Sequence, residues 1–148
     1  MLTSPDFKEL LSLFTGHKER YLVVGGYAVM KYSEPRFTKD LDLWIAVDAS
    51  NATAVFTALK EFGAPLAGLS EADFQQAGYV YQMGRAPLRV DILMSLDGVD
   101  FEQAWRKRVE TRIGGAKIPF IAKDDLMVAK RIAGRPQDLI DLQNLEQS

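Results

Sequence analysis

The stretch Val23-Val24-Gly25-Gly26, followed after a short helical interval by Arg36-Phe37-Thr38-Lys39-Asp40-Leu41-Asp42-Leu43, constrains the fold more than any other part of the chain. Leu41 to Ile45 reads as a strand, in which side chains alternate between faces. Asp40 and Asp42 therefore project one way, and Leu41 and Leu43 the other. Two carboxylates in one patch repel each other unless a cation sits between them, and hard oxygen ligands suit Mg²⁺. The glycine pair, placed just after a strand and just before a helix, lets backbone N–H groups approach an anion at a helix N-terminus. Phosphate and metal are thus expected at one site. Each half alone has a plainer meaning, a tight turn for the glycines and the solvated face of an edge strand for the aspartates. It is their conjunction that favours a site.

Two further motifs follow in order. Leu88-Arg89-Val90-Asp91-Ile92-Leu93 is a short apolar strand with one carboxylate. Lys130-x-x-Ala133-x-Arg135-x-x-Asp138-x-x-Asp141-Leu142 places basic and acidic residues on helices near the C-terminus. The four motifs together resemble those of the nucleotidyltransferase (polymerase beta-like) superfamily. Within it they are most similar to the small bacterial branch of abortive-infection nucleotidyltransferase toxins and related uncharacterised domains. The resemblance runs from about Tyr21 to Leu145, and Tyr27 stands where many members carry a serine after the glycine pair.

The resemblance implies an α/β (α+β) nucleotidyltransferase fold: a mixed central β-sheet flanked by helices, with further helices at the C-terminal end. It implies metal-dependent transfer of a nucleoside monophosphate from a nucleoside triphosphate to a hydroxyl on RNA or tRNA, a protein or a small molecule. Two ions, Mg²⁺ or Mn²⁺, are expected about 4 Å apart. Asp40 and Asp42 are assigned to both ions, and Asp91 to the ion that activates the acceptor, where it also takes the hydroxyl proton. Gly25 and Gly26 are expected to cradle the phosphates, with Arg36, Thr38 and Lys39 beside the nucleotide. Lys130 is the candidate to stabilise phosphate charge. An ion pair with Asp138 or Asp141 is an equal alternative for Lys130, and a network tying the last two helices is the favoured role of those two aspartates. The toxin branch also implies an antitoxin-like partner. Two other classes fit the same residues: a catalytically inactive nucleotide-binding or partner-binding module of this fold, and a phosphohydrolase using the same carboxylates. The glycine pair before the aspartates favours transfer over hydrolysis.

At 148 residues the chain suits one domain, residues 1–148. Its 47% hydrophobic and 26% charged residues are those of a folded domain rather than a disordered one. No apolar run approaches the roughly 20 residues that span a bilayer, and Met1 to Asp6 lacks the marks of a signal peptide. A cytoplasmic location, away from membranes, is expected. The absence of cysteine excludes thiolate chemistry, and a lone His17 leaves little for a serine–histidine triad or a histidine zinc site. From Arg85 to Arg135 there are eleven Lys or Arg against seven Asp or Glu, including the run Arg106-Lys107-Arg108. Without interleaved aromatics, that run reads as a solvated helix face rather than a nucleic-acid surface.

Periodicity supplies the remaining elements. Phe7, Leu10, Leu11 and Phe14 recur at helical spacing, with Ser4 or Asp6 as cap. Tyr21 to Val24 is a buried strand, and Gly26 to Tyr32 a helix that Pro35 terminates. A helix from about Ala52 to Phe62 is capped by Asp48 or Ser50, and Ser70 caps a short helix over Glu71 to Gln76. Tyr79 to Met83 and Leu88 to Met94 form a hairpin about Gly84-Arg85-Ala86-Pro87. A helix from Asp100 to Arg108 precedes a second hairpin about Gly114-Gly115. Two helices follow, opening at Lys123 and at Pro136.

Overall fold

Alternation and capping set the order of elements seen in a computed structural model, which describes residues 5–85 and 88–148. The helices are α1 (Pro5–Gly16), α2 (Gly25–Tyr32), α3 (Ala49–Phe62), α4 (Phe101–Arg106), α5 (Lys123–Ala133) and α6 (Pro136–Glu146). The strands are β1 (Tyr21–Val24), β2 (Asp40–Ile45), β3 (Val80–Arg85), β4 (Leu88–Leu93), β5 (Val109–Ile113) and β6 (Ala116–Phe120). A 3₁₀ turn spans Glu71–Gln75, where the Ser70 N–H donates to Asp73 Oδ2 at 2.8 Å. The expected elements are present, with ends moved by a few residues. Ser4, Ala86 and Pro87, to which a cap and part of a hairpin turn were assigned, lie outside the described residues.

The six strands form one mixed sheet in the order β3-β4-β2-β1-β6-β5. β1 runs antiparallel to β2 and parallel to β6, while β2 and β4 are parallel neighbours. In β2 the alternation is as expected: Leu41, Leu43 and Ile45 are buried, and Asp40 and Asp42 are half-buried on the other face. α1 packs on α3 and β6, and its buried Phe7, Leu10, Leu11 and Phe14 each contribute about 1.5–3 kcal/mol relative to exposure. α2 packs against α5 and α6, which brings the C-terminal helices over the end of β1. Asp48 caps α3, accepting from Asn51 N–H at 3.1 Å, and Gly63 closes it in the left-handed conformation. Trp44, on the same face of β2 as Asp40 and Asp42, is buried against Phe101 with ring centroids 4.9 Å apart. Among the described residues no helix is long and apolar enough to cross a membrane.

One buried carboxyl group stands apart from the site described below. Glu19 is only 5% exposed, and among the described residues neither of its carboxyl oxygens has a hydrogen-bond partner. Burial pushes its pKa up to about 9. The folded state therefore holds a proton that the unfolded chain releases near 4.5. That contribution to stability is complete below the unfolded value and is lost as pH rises through about 9. Glu19→Gln is expected to flatten the fall in melting temperature between about pH 7 and pH 9. Thermal melts of both proteins across that range check it.

Candidate active site

β2 and β4 pair so that Asp40 lies opposite Arg89 and Asp42 opposite Asp91. Residues two apart on a strand share a face, so this register places Asp40, Asp42, Arg89 and Asp91 in one cluster. Asp40, Asp42 and Asp91 each offer a carboxylate oxygen within 4.8 Å of the others. Burial, and then repulsion by Asp91 and Asp40, raises the Asp42 pKa to about 7, against the partial relief given by Lys130 and Arg135. Asp91 is raised in the same way, by burial and by Asp40, while Arg89 pulls it part of the way back. Asp40 Oδ1 and Asp91 Oδ1 are buried and, among the described residues, have no hydrogen-bond partner. Crowded, mutually repelling oxygens with unspent lone pairs fit a hard divalent cation.

The glycine pair is packed directly onto this cluster. Gly25 has φ +67°, and a Cβ there would overlap the Asp42 carboxylate. A Cβ on Gly26 would lie 2.6 Å from Thr38 Oγ1 and 3.0 Å from Arg36 Nη2. Only glycine permits the conformation at the first position and the close approach at both. α2 thus begins against the carboxylates, and among the described residues no side chain caps its N-terminus. Gly25→Ala is expected to cost about 1–2 kcal/mol from backbone conformation alone and to push the Asp42 side chain out of the cluster. A thermal melt and a Mn²⁺ titration would register the two effects.

These residues open into a cavity of about 420 Å³. Gly25, Gly26, Arg36, Thr38, Asp40 and Asp42 line one part, and Lys130, Arg135 and Gln137 another, with Leu96, Leu126 and Ala129 as apolar wall. Asp91 adjoins the cavity through its two fellow carboxylates. Lys39 is exposed and does not line it. In an extended chain a residue next to Asp40 projects away from the Asp40 face.

The cations of the C-terminal motif are held by carboxylates. Lys130, buried, pairs with Asp138 at 3.1 Å and Asp141 at 3.0 Å. Arg36 reaches Asp141 from the loop before β2, with Nε at 2.9 Å and Nη2 at 3.0 Å. Gln137 Nε2 donates to the same carboxylate at 3.0 Å, and Arg135 Nε donates to Asp138 at 2.6 Å. Burial would raise the Asp138 pKa, but the hydrogen bonds from Arg135 and Lys130 outweigh it and hold the group below its usual value. The network expected of Asp138 and Asp141 is therefore present, and it extends through Arg36 to the loop that carries Thr38. Lys130 both pairs with these aspartates and lines the cavity.

Arg89 is the residue that sequence reasoning overlooked. Its Nε lies 3.6 Å from Asp40 Oδ1 and 3.6 Å from Asp91 Oδ1. Its place beside the aspartates follows from the β2–β4 register, which no local pattern announces. In the basic run elsewhere, Lys107 pairs with Asp124 and Asp125, Arg108 lies over the Trp105 ring at 3.9 Å, and Arg106 is exposed. His17 pairs with Glu61 at the surface, as a helix-end residue does.

Known structures share this fold at low identity. Lincosamide antibiotic adenylyltransferase LnuA with lincomycin bound is 21% identical with TM-score 0.60, over 97% of this chain and 96% of that one. ANT(2")-Ia in complex with adenylyl-2"-tobramycin is 11% identical with TM-score 0.61, over 95% and 85%. An antigenic nucleotidyltransferase-like protein from Paracoccidioides brasiliensis is 21% identical with TM-score 0.53, over 94% and 74%. No curated protein sequence matches the chain. At the level of families the match is to "Nucleotidyltransferase of unknown function (DUF6036)", and it takes in residues 6–147. With nearly the whole chain matched, and three acidic side chains gathered beside a glycine turn, the protein belongs to this nucleotidyltransferase family.

Proposed function

We propose that the protein transfers a nucleoside monophosphate from a nucleoside triphosphate to the hydroxyl of a small-molecule acceptor. The observation that carries this reading is the meeting of three carboxylates from neighbouring strands with a diglycine helix start, two of those carboxylates and both glycines lining one cavity. Asp40, Asp42 and Asp91 would hold Mg²⁺ or Mn²⁺, two ions when loaded, which when bound polarise the acceptor hydroxyl and neutralise the triphosphate. The backbone N–H groups at Gly25 and Gly26 cradle phosphate oxygens at the α2 N-terminus. Thr38 lines the same wall, and Arg36, Lys130 and Arg135 set a positive field across the cavity while staying fixed on Asp141 and Asp138. The acceptor oxygen bonds to the α-phosphorus, the bond from that phosphorus to the α–β bridging oxygen breaks, and pyrophosphate departs with the electron pair. Asp91 receives the hydroxyl proton.

A small acceptor is supported by the bound lincomycin and adenylylated tobramycin of two proteins that share the fold. RNA, tRNA or protein acceptors, and an antitoxin-like partner, rest on the resemblance to the toxin branch. One experiment separates them. The protein is incubated with each α-labelled triphosphate and Mg²⁺, together with total RNA, lysate protein or a pool of hydroxylated small molecules. Label on a small molecule with release of pyrophosphate is expected. Label on RNA or protein would move the acceptor class, and release of inorganic phosphate would favour hydrolysis. No label, with no heat on titrating any triphosphate, would overturn the enzymatic reading.

A further inference from the structure

Among the cations around the site, Arg89 is held differently from the rest. Arg36, Lys130 and Arg135 each donate hydrogen bonds of 2.6–3.2 Å to a carboxylate. Arg89 approaches Asp40 Oδ1 and Asp91 Oδ1 only to 3.6 Å, which is too long for a hydrogen bond and still inside ion-pair range. Those two oxygens are the same two that, among the described residues, lie buried without a hydrogen-bond partner. The guanidinium thus offsets their charge without satisfying their lone pairs. Its side chain is 40% exposed, whereas that of Asp91 is 13% exposed, so the arginine has open solvent into which to withdraw.

We propose that Arg89 is a positioning residue, an internal counter-ion that holds Asp40 and Asp91 together in the metal-free protein and must withdraw when a divalent cation takes their free oxygens. The inference rests on the carboxylate cluster's being a cation site, as the proposed function requires. Without Arg89, three carboxylates held this close by the β2–β4 register would repel one another uncompensated, at a cost to the metal-free fold. With it, that repulsion is offset, but a divalent cation that took the same two oxygens would meet a unit positive charge beside them. Arg89 therefore weakens cation affinity on the Asp40–Asp91 side while stabilising the free protein. Its position depends on a single register, Asp40 opposite Arg89, so that the arginine is presented on the strand that also carries Asp91.

The test is a sign. Mn²⁺ binding is followed by electron paramagnetic resonance and calorimetry in wild type, Arg89→Gln and Arg89→Lys, alongside the melting temperature with and without the ion. Arg89→Gln is expected to bind Mn²⁺ about tenfold more tightly than wild type, and to melt lower than wild type without metal. Arg89→Lys, which keeps the charge, is expected to stay within about threefold of wild type. A residue that merely supports the fold gives the opposite sign, because loosening the ligands weakens the ion. Unchanged or weaker Mn²⁺ binding in a folded Arg89→Gln would overturn the proposal and leave the proposed function standing. Absence of Mn²⁺ binding in all three proteins would overturn both.

Discussion

Asp42→Asn is expected to lower nucleotidyl transfer by about a thousandfold or more while leaving the metal-free protein at least as stable as wild type near pH 8. The two effects have one cause. Asp42 stands between the other two carboxylates and the glycine turn, and burial with like-charge repulsion has already raised its pKa to about 7. Above that pH the charge is carried at a cost to the fold. In the sign convention of proton linkage, stability from the raised group is complete below the unfolded value of 3.8 and is lost as pH rises through about 7. A neutral amide of the same shape relieves that cost and removes one of the carboxylates proposed to hold the ion. The measurements are label transfer and thermal melts with and without Mg²⁺. Wild type should melt higher with the ion, and the variant should show little shift. Retained transfer in Asp42→Asn would show that this carboxylate is not part of the chemistry.

The second large effect is expected at Asp141, in stability. Its carboxylate is fully buried and receives Arg36, Lys130 and Gln137. Asp141→Asn removes the negative charge, takes from Arg36 its carboxylate partner and leaves buried Lys130 with Asp138 alone. Breaking a buried pair by losing one member costs about 3–5 kcal/mol. For a chain of this size that corresponds to a fall in melting temperature of roughly 10 °C. Lys130→Met should cost less, since Asp138 keeps Arg135 and Asp141 keeps Arg36. A double-mutant cycle on Lys130 and Asp141, read by denaturant unfolding, should return a coupling of about 1–3 kcal/mol. Additive effects would show that the pair contributes little beyond its separate contacts.

The contrast between these residues shows what local sequence carries. Asp40 and Asp42 were legible because a strand repeats every two residues, and Gly25-Gly26 because a strand-to-helix junction has few other uses for two adjacent glycines. Asp138 and Asp141 were legible because three residues span nearly one helical turn. Arg89 was not, since its meaning comes from the strand opposite it, and register is a property of the sheet rather than of either strand. Glu19 was not, because a charged pair ahead of a strand has the pattern of a surface turn, and its burial comes from packing. Lys39 is expected beside the nucleotide, but neighbours in an extended chain face apart, and it is exposed outside the cavity lining.

Arg36 and Asp141 are 105 positions apart, yet their contact closes one wall of the cavity. Such a wall needs α6 docked against the loop before β2, so a state that has the sheet without that docking lacks the wall. Triphosphate should therefore bind only once α6 has docked, and any gap between sheet formation and binding in refolding would time that step. A ligand that waits for that step can hold the finished molecule together, but it cannot guide the chain toward it.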